Sequence, residues 1–204
     1  MPRPPKGVWG IDIGQCALKA VRLEMIDGLP HATAFDYVEH PKILSQPDAD
    51  PDQLTREAID SFLSRNNIRF DEVAIGIAGQ SGLARFVKLP PVEEKKISDI
   101  VKFEAKQQIP FPLDEVVWDF QKIAGGDVMD GFAMETEIGL FAMKRDIIAR
   151  SLMHYTAAKV EVHYVQMSPL ALVNYATYEV LKKGGPEATQ ASGEDEEETP
   201  VGKK

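Results

Sequence analysis

The first eighty residues carry the hydrophobic pattern of several short strands and one helix. Apolar stretches that end at glycine, or that alternate with polar residues, are typical of strands. The strands predicted in this part of the chain are Val8–Ile13, Ala17–Met25, His31–Glu39 and Val73–Ala78. Apolar residues at helical spacing follow Asp50-Pro51, a pair typical of a helix start, and Asn66-Asn67 marks the predicted helix end. The pattern therefore predicts a hairpin of the first two strands and a helix before the fourth.

A second series of elements begins near Gly82. Its predicted strands are Leu83–Leu89, Val116–Ile123, Glu137–Lys144 and Val160–Gln166. Its predicted helices begin at Pro90-Pro91, Arg145 and Ser168-Pro169. The first of these helices must stop before Pro110, and Ser168 is expected to cap the last one. Glycine and aspartate predict a loop over Gly125–Met134, so that strands and helices alternate to about Leu181, as in a mixed α/β fold.

The C-terminal segment 184–204 differs in composition from the rest of the chain. It consists mainly of Gly, Pro, Ser, Thr and acidic residues, and Val201 is its one large aliphatic residue. Such a segment buries too little apolar surface to offset the entropy lost on ordering. We predict a disordered acidic linker, with an ordinary frayed terminus as the alternative.

The charge balance excludes several classes of function. The chain has 32 acidic and 23 basic residues and a net charge of −9, of which segment 184–204 carries −4 and the body −5. A mildly acidic body argues against sequence-independent binding of nucleic acid and, more weakly, against adhesion to anionic lipid. No apolar run approaches the ~18–20 residues of a spanning helix, and the N-terminus lacks the apolar core of a signal peptide. We therefore expect a soluble, cytosolic protein.

Metal and nucleophile chemistry have little support in the sequence. The single cysteine, Cys16, excludes an internal disulfide and a cysteine-based zinc site. The four histidines show no metal-ligand spacing, and His163 is expected to be a surface residue of a strand. No histidine is adjacent in sequence to activate Cys16, so we interpret Cys16 as a small residue of the turn.

Asp12, Gly14 and Lys19 form the sharpest candidate site. The aspartate ends a buried strand, the glycine permits a tight turn, and the lysine lies on the return strand. Such a turn can present backbone N–H groups to a phosphate, with Asp12 holding waters of a bound Mg²⁺ and Lys19 reaching a phosphate oxygen. An ordinary β-hairpin explains the same residues, and spacing alone favours it. The chain has no GxxxxGK[ST] or GxGxxG motif, which excludes a Walker loop and a dinucleotide loop.

The elbow Pro110-Phe111-Pro112 is the second unusual feature. It cuts a helix and holds Phe111 on a stiff backbone just before a strand. A connector whose phenylalanine packs inward is the simpler explanation. The alternative is an aromatic anchor beside a peptide-binding groove.

Three segments of the sequence resemble the type IV pilus assembly protein PilM family. They are GIDIGQCALKAVRLE at 10–24, FEAKQQIPFPLDEVVWDFQ at 103–121 and MSPLALVNYA at 167–176. The first is common to the actin-like superfamily, whereas the second is narrower and favours PilM over sugar kinases and Hsp70-like ATPases. The resemblance covers residues 7–181 and places the chain close to the cell-division protein FtsA.

The resemblance implies an α/β fold, with an actin-like (ribonuclease H-like) core in the first lobe and an inserted FtsA-like SHS2 or 1C subdomain. The implied divisions are a core at 7–82, the inserted subdomain at 83–160, a returning strand and helix at 161–183, and the linker at 184–204. The second phosphate loop and the adenosine loop of actin-like ATPases do not follow Leu181. We therefore expect the second lobe to be absent and the chain to be an N-terminal portion.

The resemblance also implies ATP and Mg²⁺ as ligands. Asp12 is then the acid on the magnesium side, acting through water, Gly14, Gln15 and Cys16 form the phosphate-facing turn, and Lys19 is the phosphate lysine. Gln15 and Cys16 stand where the superfamily often has hydroxyl residues. With half a cleft and two hydroxyls fewer, we expect weak or absent ATP binding in this chain and no turnover.

The implied function is that of a scaffold in the inner-membrane assembly platform of the type IV pilus. The resemblance implies that the N-terminal cytoplasmic segment of a PilN-like protein lies in a groove between the core and the inserted subdomain. It also implies a peripheral position at the inner face of the membrane, held through this partner, with self-association open. The candidate lining residues are Leu83, Phe86, Ile109 and Phe111.

Two other functions stay open. One is an ATP-hydrolysing enzyme of the same superfamily, against which the missing second lobe and the lack of a base for a γ-phosphate argue. The other is the cytoplasmic scaffold of the related type II secretion platform. Asp12 and Lys19 argue against this scaffold, because a protein that binds no nucleotide does not need them.

Removing segment 184–204 tests its predicted lack of structure. We expect the free energy of unfolding to change by less than about 0.5 kcal/mol, because only Val201 offers a large apolar side chain for burial. Thermal and urea denaturation of the chain ending at Lys183, beside the full chain, measures this. A clear drop in melting temperature would show that the segment docks on the folded body.

Overall fold

Residues 7–125, 127–129 and 131–181 are described by a computed structural model, and their contacts divide them into two units. The first unit lies within Met1–Gly76 and Ala158–Lys204, and the second is Ile77–Ala157. The inserted subdomain predicted at 83–160 overlaps this second unit over residues 83–157. The predicted linker 184–204 lies outside the described residues.

The elements follow one another in the predicted alternation. The strands are β1 (Val8–Ile13), β2 (Ala17–Ile26), β3 (Leu29–Glu39), β4 (Glu72–Ile77), β5 (Gly82–Lys88), β6 (Val92–Glu93), β7 (Val116–Ala124), β8 (Asp127–Met129), β9 (Phe132–Met134), β10 (Glu137–Lys144) and β11 (Tyr164–Met167). The helices are α1 (Pro51–Arg65), α2 (Ile97–Gln108), α3 (Arg145–Ala157) and α4 (Ser168–Tyr175), with a π-helical segment at Ala176–Val180.

The first unit is built on a five-stranded sheet in the order β11-β4-β1-β2-β3. Strand β1 pairs antiparallel with β2 and parallel with β4, so it lies at the centre of the sheet. One face of the sheet carries the core, in which the rings of Trp9 and Phe62 meet edge to face at 5.1 Å between centroids. Because side chains alternate along a strand, the other face of β1 presents Gly10 and Asp12.

Helix α1 forms where the sequence predicts it. The Asp50 carboxylate accepts a hydrogen bond from the N–H of Gln53 at 3.0 Å, and Pro51 occupies the first helical position. The helix ends at Asn66, whose N–H donates to the carbonyl of Phe62. The buried stripe of the helix consists of Thr55, Ala58, Ile59 and Phe62. The predicted helix and its capping residue are therefore confirmed.

The second unit has a three-stranded antiparallel sheet in the order β5-β10-β7. Helix α2 packs against one face through Val101 and Ala105, both fully buried. Their partners on the sheet are Ile138, Leu140, Ala142 and Val116. Residues buried in this core are not accessible to a ligand, so a surface site of this unit must be formed by other residues.

A second small sheet corrects two sequence predictions in this unit. The predicted loop over Gly125–Met134 contains the hairpin of β8 and β9, and Gly131 reaches a φ of 82° before β9 begins. The helix predicted to open at Pro90-Pro91 begins only at Ile97, because Val92 pairs with Ala133 in β9. Both residues of this pair are buried. Strand pairing outweighs the helix-start signal of the prolines here.

The strand predicted at Val160–Gln166 is shorter than expected. Strand β11 covers Tyr164–Met167, and His163 meets β4 just before it. The N–H of His163 donates to the carbonyl of Val73, and the Nδ1 of the same imidazole accepts from the N–H of Val73 at 3.1 Å. The side chain thus takes the place of a backbone acceptor, and the regular ladder begins one residue later.

An ion pair links β2 to the chain entering β4. The guanidinium of Arg22 donates from Nε and Nη2 to the two carboxylate oxygens of Asp71, at 2.6 and 2.9 Å. The Asp71 side chain is 5% exposed, so solvent screens this pair little. The Arg22 guanidinium holds the pKa of the Asp71 carboxyl below its usual range. Because that pKa is lower in the folded than in the unfolded chain, the stability from the ionised pair is present above about pH 4 and is lost as the pH falls through the lowered pKa.

Replacing Asp71 by asparagine tests this ion pair. We expect Asp71→Asn to lower the free energy of unfolding by about 1.5–3 kcal/mol at pH 7, since a buried charged hydrogen bond is lost. Urea denaturation at pH 7 and at decreasing pH measures the difference, which should narrow below about pH 4. The matched control is Asp48→Asn, which removes an exposed ion pair with Lys42 and should change stability little. A difference between wild type and Asp71→Asn that does not depend on pH would contradict the assignment.

Candidate functional site

The register of the central strands brings the predicted residues Asp12 and Lys19 together. Asp12 lies opposite Lys19 in the β1–β2 pair and opposite Gly76 in the β1–β4 pair. Residues that are opposite each other in a sheet point to the same face. Asp12 and Lys19 therefore lie side by side on the face opposite the α1 core.

The carboxylate of Asp12 is held by a residue from the end of the first unit. The Ser168 hydroxyl, at the start of α4, donates to Oδ1 of Asp12 at 3.1 Å. Gly76 leaves the space for this contact. A Cβ at Gly76 would lie 2.9 Å from the Ser168 oxygen and 3.0 Å from Oδ1 of Asp12. The site thus combines groups from β1, β2, β4 and α4.

The predicted phosphate-facing turn needs a correction at its first residue. The N–H of Gly14 donates to the carbonyl of Ala17 at 2.9 Å and closes the hairpin, so it is not free for a ligand. Gln15 and Cys16 are exposed, and within the described residues their N–H groups make no hydrogen bond. Their carbonyls accept from Leu44 and His40, which holds the turn in place. The donors left for a phosphate are those of Gln15 and Cys16.

A cleft of about 730 Å³ opens beside Asp12 and Lys19. One wall is the sheet face with Gly10, Ala74 and Gly76, and the other is α4 with Leu172. Small residues on the sheet leave the room between the two walls. The cleft is thus largely apolar, with its charged groups gathered at one end.

The residues at this charged end fit a magnesium–phosphate ligand. Among the described residues, neither Asp12 nor Lys19 is in a salt bridge, although they face each other in the sheet. A carboxylate beside a separate ammonium group offers a hydrated cation and a phosphate one partner each. Asp12 would hold the cation side, and Lys19 with the turn N–H groups would hold the phosphate side.

A second candidate site lies in the second unit, around Phe111. A pocket of about 490 Å³ is lined there by Leu83 and Phe111, together with Ile147 and Arg150 of α3. The ammonium of Lys144 lies 4.1 Å from the centre of the Phe111 ring, a cation–π contact. The phenylalanine is 38% exposed, so it is neither a core residue nor fully free. The structure thus brings two of the four predicted partner-binding residues, Leu83 and Phe111, to one pocket.

The other two predicted residues lie elsewhere. Ile109 is only 3% exposed and belongs to the core beneath α2, so the prediction that it lines a groove is corrected. Phe86 is exposed and meets Phe141 edge to face at 6.4 Å. The register pairs Phe86 with Gly139, on the sheet face opposite α2. Phe86 does not line the pocket of Phe111.

Sequence reasoning missed three residues of these sites. Gly76 lies inside an apolar strand, where an isolated glycine signals a close approach of neighbouring atoms. Ser168 carries a helix-start signal that hides its contact with Asp12. Lys144 ends a strand without any local motif.

Within residues 7–125, 127–129 and 131–181, no group of three or more His, Cys, Asp or Glu is arranged to hold a metal ion. In the same part of the chain, no helix is long and apolar enough to cross a membrane.

Comparisons with known proteins place the chain. It is similar to one chain of a solved PilM–PilN type IV pilus biogenesis complex, with a TM-score of 0.59 and 23% identity over 80% of this chain and 48% of that chain. It is also similar to the cytoplasmic domain of EpsL, an inner-membrane component of the type II secretion system of Vibrio cholerae. There the TM-score is 0.47 and the identity 12%, over 79% of this chain and 57% of that one. Comparison with curated proteins yields no match.

The first of these structures shares its fold with this chain, and the predicted actin-like α/β class is confirmed. The chain spans about half the length of that solved relative. The model of the family described as type IV pilus assembly protein PilM matches residues 10–190, nearly the whole length of the described part. The chain therefore belongs to the PilM family of type IV pilus assembly proteins.

Proposed function

We propose that this protein is a scaffold of the type IV pilus assembly platform and that its second unit binds an extended segment of a PilN-like partner. The observation that carries this proposal is the Phe111 pocket, because it offers an aromatic anchor in a chain that belongs to the PilM family. The solved relative of similar fold is a PilM–PilN complex. The chemistry of the pocket also supports a peptide as its occupant.

The pocket suits an apolar side chain flanked by backbone. Leu83, Phe111 and Ile147 are apolar lining residues, and Lys144 and Arg150 add charged donors to the lining. Arg150 pairs with Asp146 at 3.1 Å, whereas no described carboxylate pairs with Lys144. Lys144 is therefore available for a carbonyl or carboxylate of the partner. An apolar pocket with a few polar groups at its rim is the usual form of a peptide anchor site.

The elbow that carries Phe111 is fixed at both ends. Ile109 before it and Val116 after it are buried, and the N–H of Ile109 donates to Ala105 at the end of α2. On the far side, Arg145 donates from its N–H and its guanidinium to the carbonyls of Glu115 and Asp114. A side chain on such a backbone loses little entropy when a partner binds.

The proposed function also implies a cellular location for the protein and a nucleotide ligand for its first unit. A PilN-like partner of the inner membrane would hold the protein at the cytoplasmic face of that membrane. The first unit would bind Mg-ATP weakly through Asp12 and Lys19, because the cleft leaves much of an adenosine in water. Among the described residues lining the cleft, Asp12 is the only acid, and Ser168 already binds one of its oxygens. This argues against the alternative of an ATP-hydrolysing enzyme, which needs a base at the terminal phosphate.

Replacing Phe111 by alanine tests the peptide pocket. We expect Phe111→Ala to weaken binding of a synthetic peptide of the PilN N-terminal segment by about 1–3 kcal/mol, because an aromatic anchor is lost. Fluorescence anisotropy of the labelled peptide measures the affinity. The melting temperature should change little, because Phe111 is partly exposed and outside the core cluster.

Two matched variants control this experiment. Phe86→Ala removes an exposed phenylalanine outside the pocket and should leave affinity unchanged. Ile109→Ala removes a buried neighbour and should lower the free energy of unfolding by about 2–5 kcal/mol. Peptide affinity that falls with Phe86→Ala and not with Phe111→Ala would move the site to the opposite sheet face. A peptide from the type II secretion counterpart that binds more tightly than the PilN peptide would favour that platform instead.

Titration with Mg-ATP tests the first unit. We expect a dissociation constant above about 1 mM, or a binding free energy weaker than about −4 kcal/mol, because the open cleft leaves much of the nucleotide in water. Shifts of the Gln15 and Cys16 amide signals in NMR spectra measure such weak binding. Asp12→Ala should remove these shifts, and Asp60→Ala, on the exposed side of α1, should leave them unchanged. Micromolar binding, or shifts that survive Asp12→Ala, would contradict this assignment.

A further inference from the structure

Ser168 does not do what its place in the sequence suggests. A serine directly before a proline at a helix start is typical of an N-cap, whose hydroxyl accepts a hydrogen bond from the first turn. In the structure Met167 occupies the capping position, and no side chain caps α4. The predicted capping role is therefore wrong. The Ser168 hydroxyl donates instead to Asp12, 156 positions earlier in the chain.

The sheet is shaped to permit this contact. Gly76 lies beside Asp12 on β4, and any Cβ there would be within 3.0 Å of both the Ser168 oxygen and Oδ1 of Asp12. Such a distance is too short for a real Cβ, so the two side chains would have to separate. A glycine at position 76 and a hydroxyl at position 168 together allow the bond.

The bond distinguishes the two oxygens of the carboxylate. Oδ1 is occupied by Ser168, whereas Oδ2 lies on the side of the hairpin turn, 3.9 Å from where a Cβ of Gly14 would be. A charge-assisted hydrogen bond restricts the rotation of a short side chain. Asp12 is thereby presented with one free oxygen directed to the turn.

We propose that Ser168 is a positioning residue, which holds Asp12 so that its Oδ2 faces a hydrated cation bound with phosphate at the turn. This inference rests on the proposed nucleotide site and adds the residue that orients its acid. Side chains that orient a cation-binding carboxylate typically change metal affinity by about 10-fold or more when they are removed. Because Ser168 begins α4, the same bond ties the orientation of Asp12 to the helix that forms one wall of the cleft.

NMR spectroscopy of the whole 204-residue chain tests this role in two ways. Without ligand, three-bond couplings across the Asp12 side chain report its χ1 angle. We expect a single rotamer in the wild type and in Ser168→Thr, which keeps the hydroxyl, and rotamer averaging in Ser168→Ala. With Mg-ATP, the initial slope of the Gln15 amide shift against ligand concentration should fall about 10-fold in Ser168→Ala and recover in Ser168→Thr.

Two further variants complete the experiment. In Gly76→Ala, the added Cβ on β4 pushes the side chains of Asp12 and Ser168 apart. This variant should therefore reproduce both effects of Ser168→Ala, which keeps the test valid when one of the two variants is less stable. Ser151→Ala removes a serine hydroxyl that donates to the Ile147 carbonyl within α3 and should change neither readout. A single Asp12 rotamer in both Ser168→Ala and Gly76→Ala would overturn the inference, as would an unchanged slope in Ser168→Ala when Asp12→Ala abolishes it. If the slope survives Asp12→Ala as well, the proposed nucleotide site fails, and the ligand-free rotamer alone decides whether Ser168 orients Asp12.

Discussion

The register of β1 between β2 and β4 is the constraint on which the first unit depends. Trp9 and Ile11 must face the helix α1, because they supply the centre of the core, and side chains alternate along a strand. Asp12 is consequently turned to the opposite face, beside Lys19 and Gly76. A slip of one residue would bury the carboxylate and expose the tryptophan, so burial of the core and placement of the candidate site are enforced by one alignment.

In the second unit, packing of the core likewise determines where the elbow Pro110-Phe111-Pro112 lies. Ile109 at the end of α2 and Val116 at the start of β7 are both buried in the core, and Leu113 between them packs against it, so the elbow is anchored on both sides of Phe111. Phe111 lies in the elbow between these two anchors and stays partly exposed. Its ring packs under the ammonium of Lys144 at the edge of the pocket. The same packing that stabilises the unit therefore leaves the Phe111 ring partly exposed at the pocket, where a partner can contact it.

Polar side chains with strong local preferences are used for distant contacts in this protein. His163 lends its imidazole to β4 in place of a backbone carbonyl, and Ser168 leaves its helix uncapped to bind Asp12. Each contact ties the last part of the first unit to its central strands. In a buried or half-buried position, a hydrogen bond to a charged or otherwise unpaired group stabilises more than a cap exposed to solvent. For Ser168, whose hydroxyl donates to the charged Asp12 carboxylate, this difference explains why the tertiary partner prevails over the cap.

The sequence by itself determined the alternation of elements, helix α1 with its Asp50 cap, the hairpin with Asp12 and Lys19, and the family, because each depends on periodicity or on short contiguous motifs. Tertiary structure decided the rest. The sequence could not show that Ile109 is core while Phe111 is not, that the Gly14 N–H is consumed by the turn, or that Val92 pairs with Ala133 instead of starting a helix. It also could not show that Ser168 and Gly76 meet at Asp12. These outcomes depend on which distant groups share one space, and that is settled only when the strands pair and the cores close.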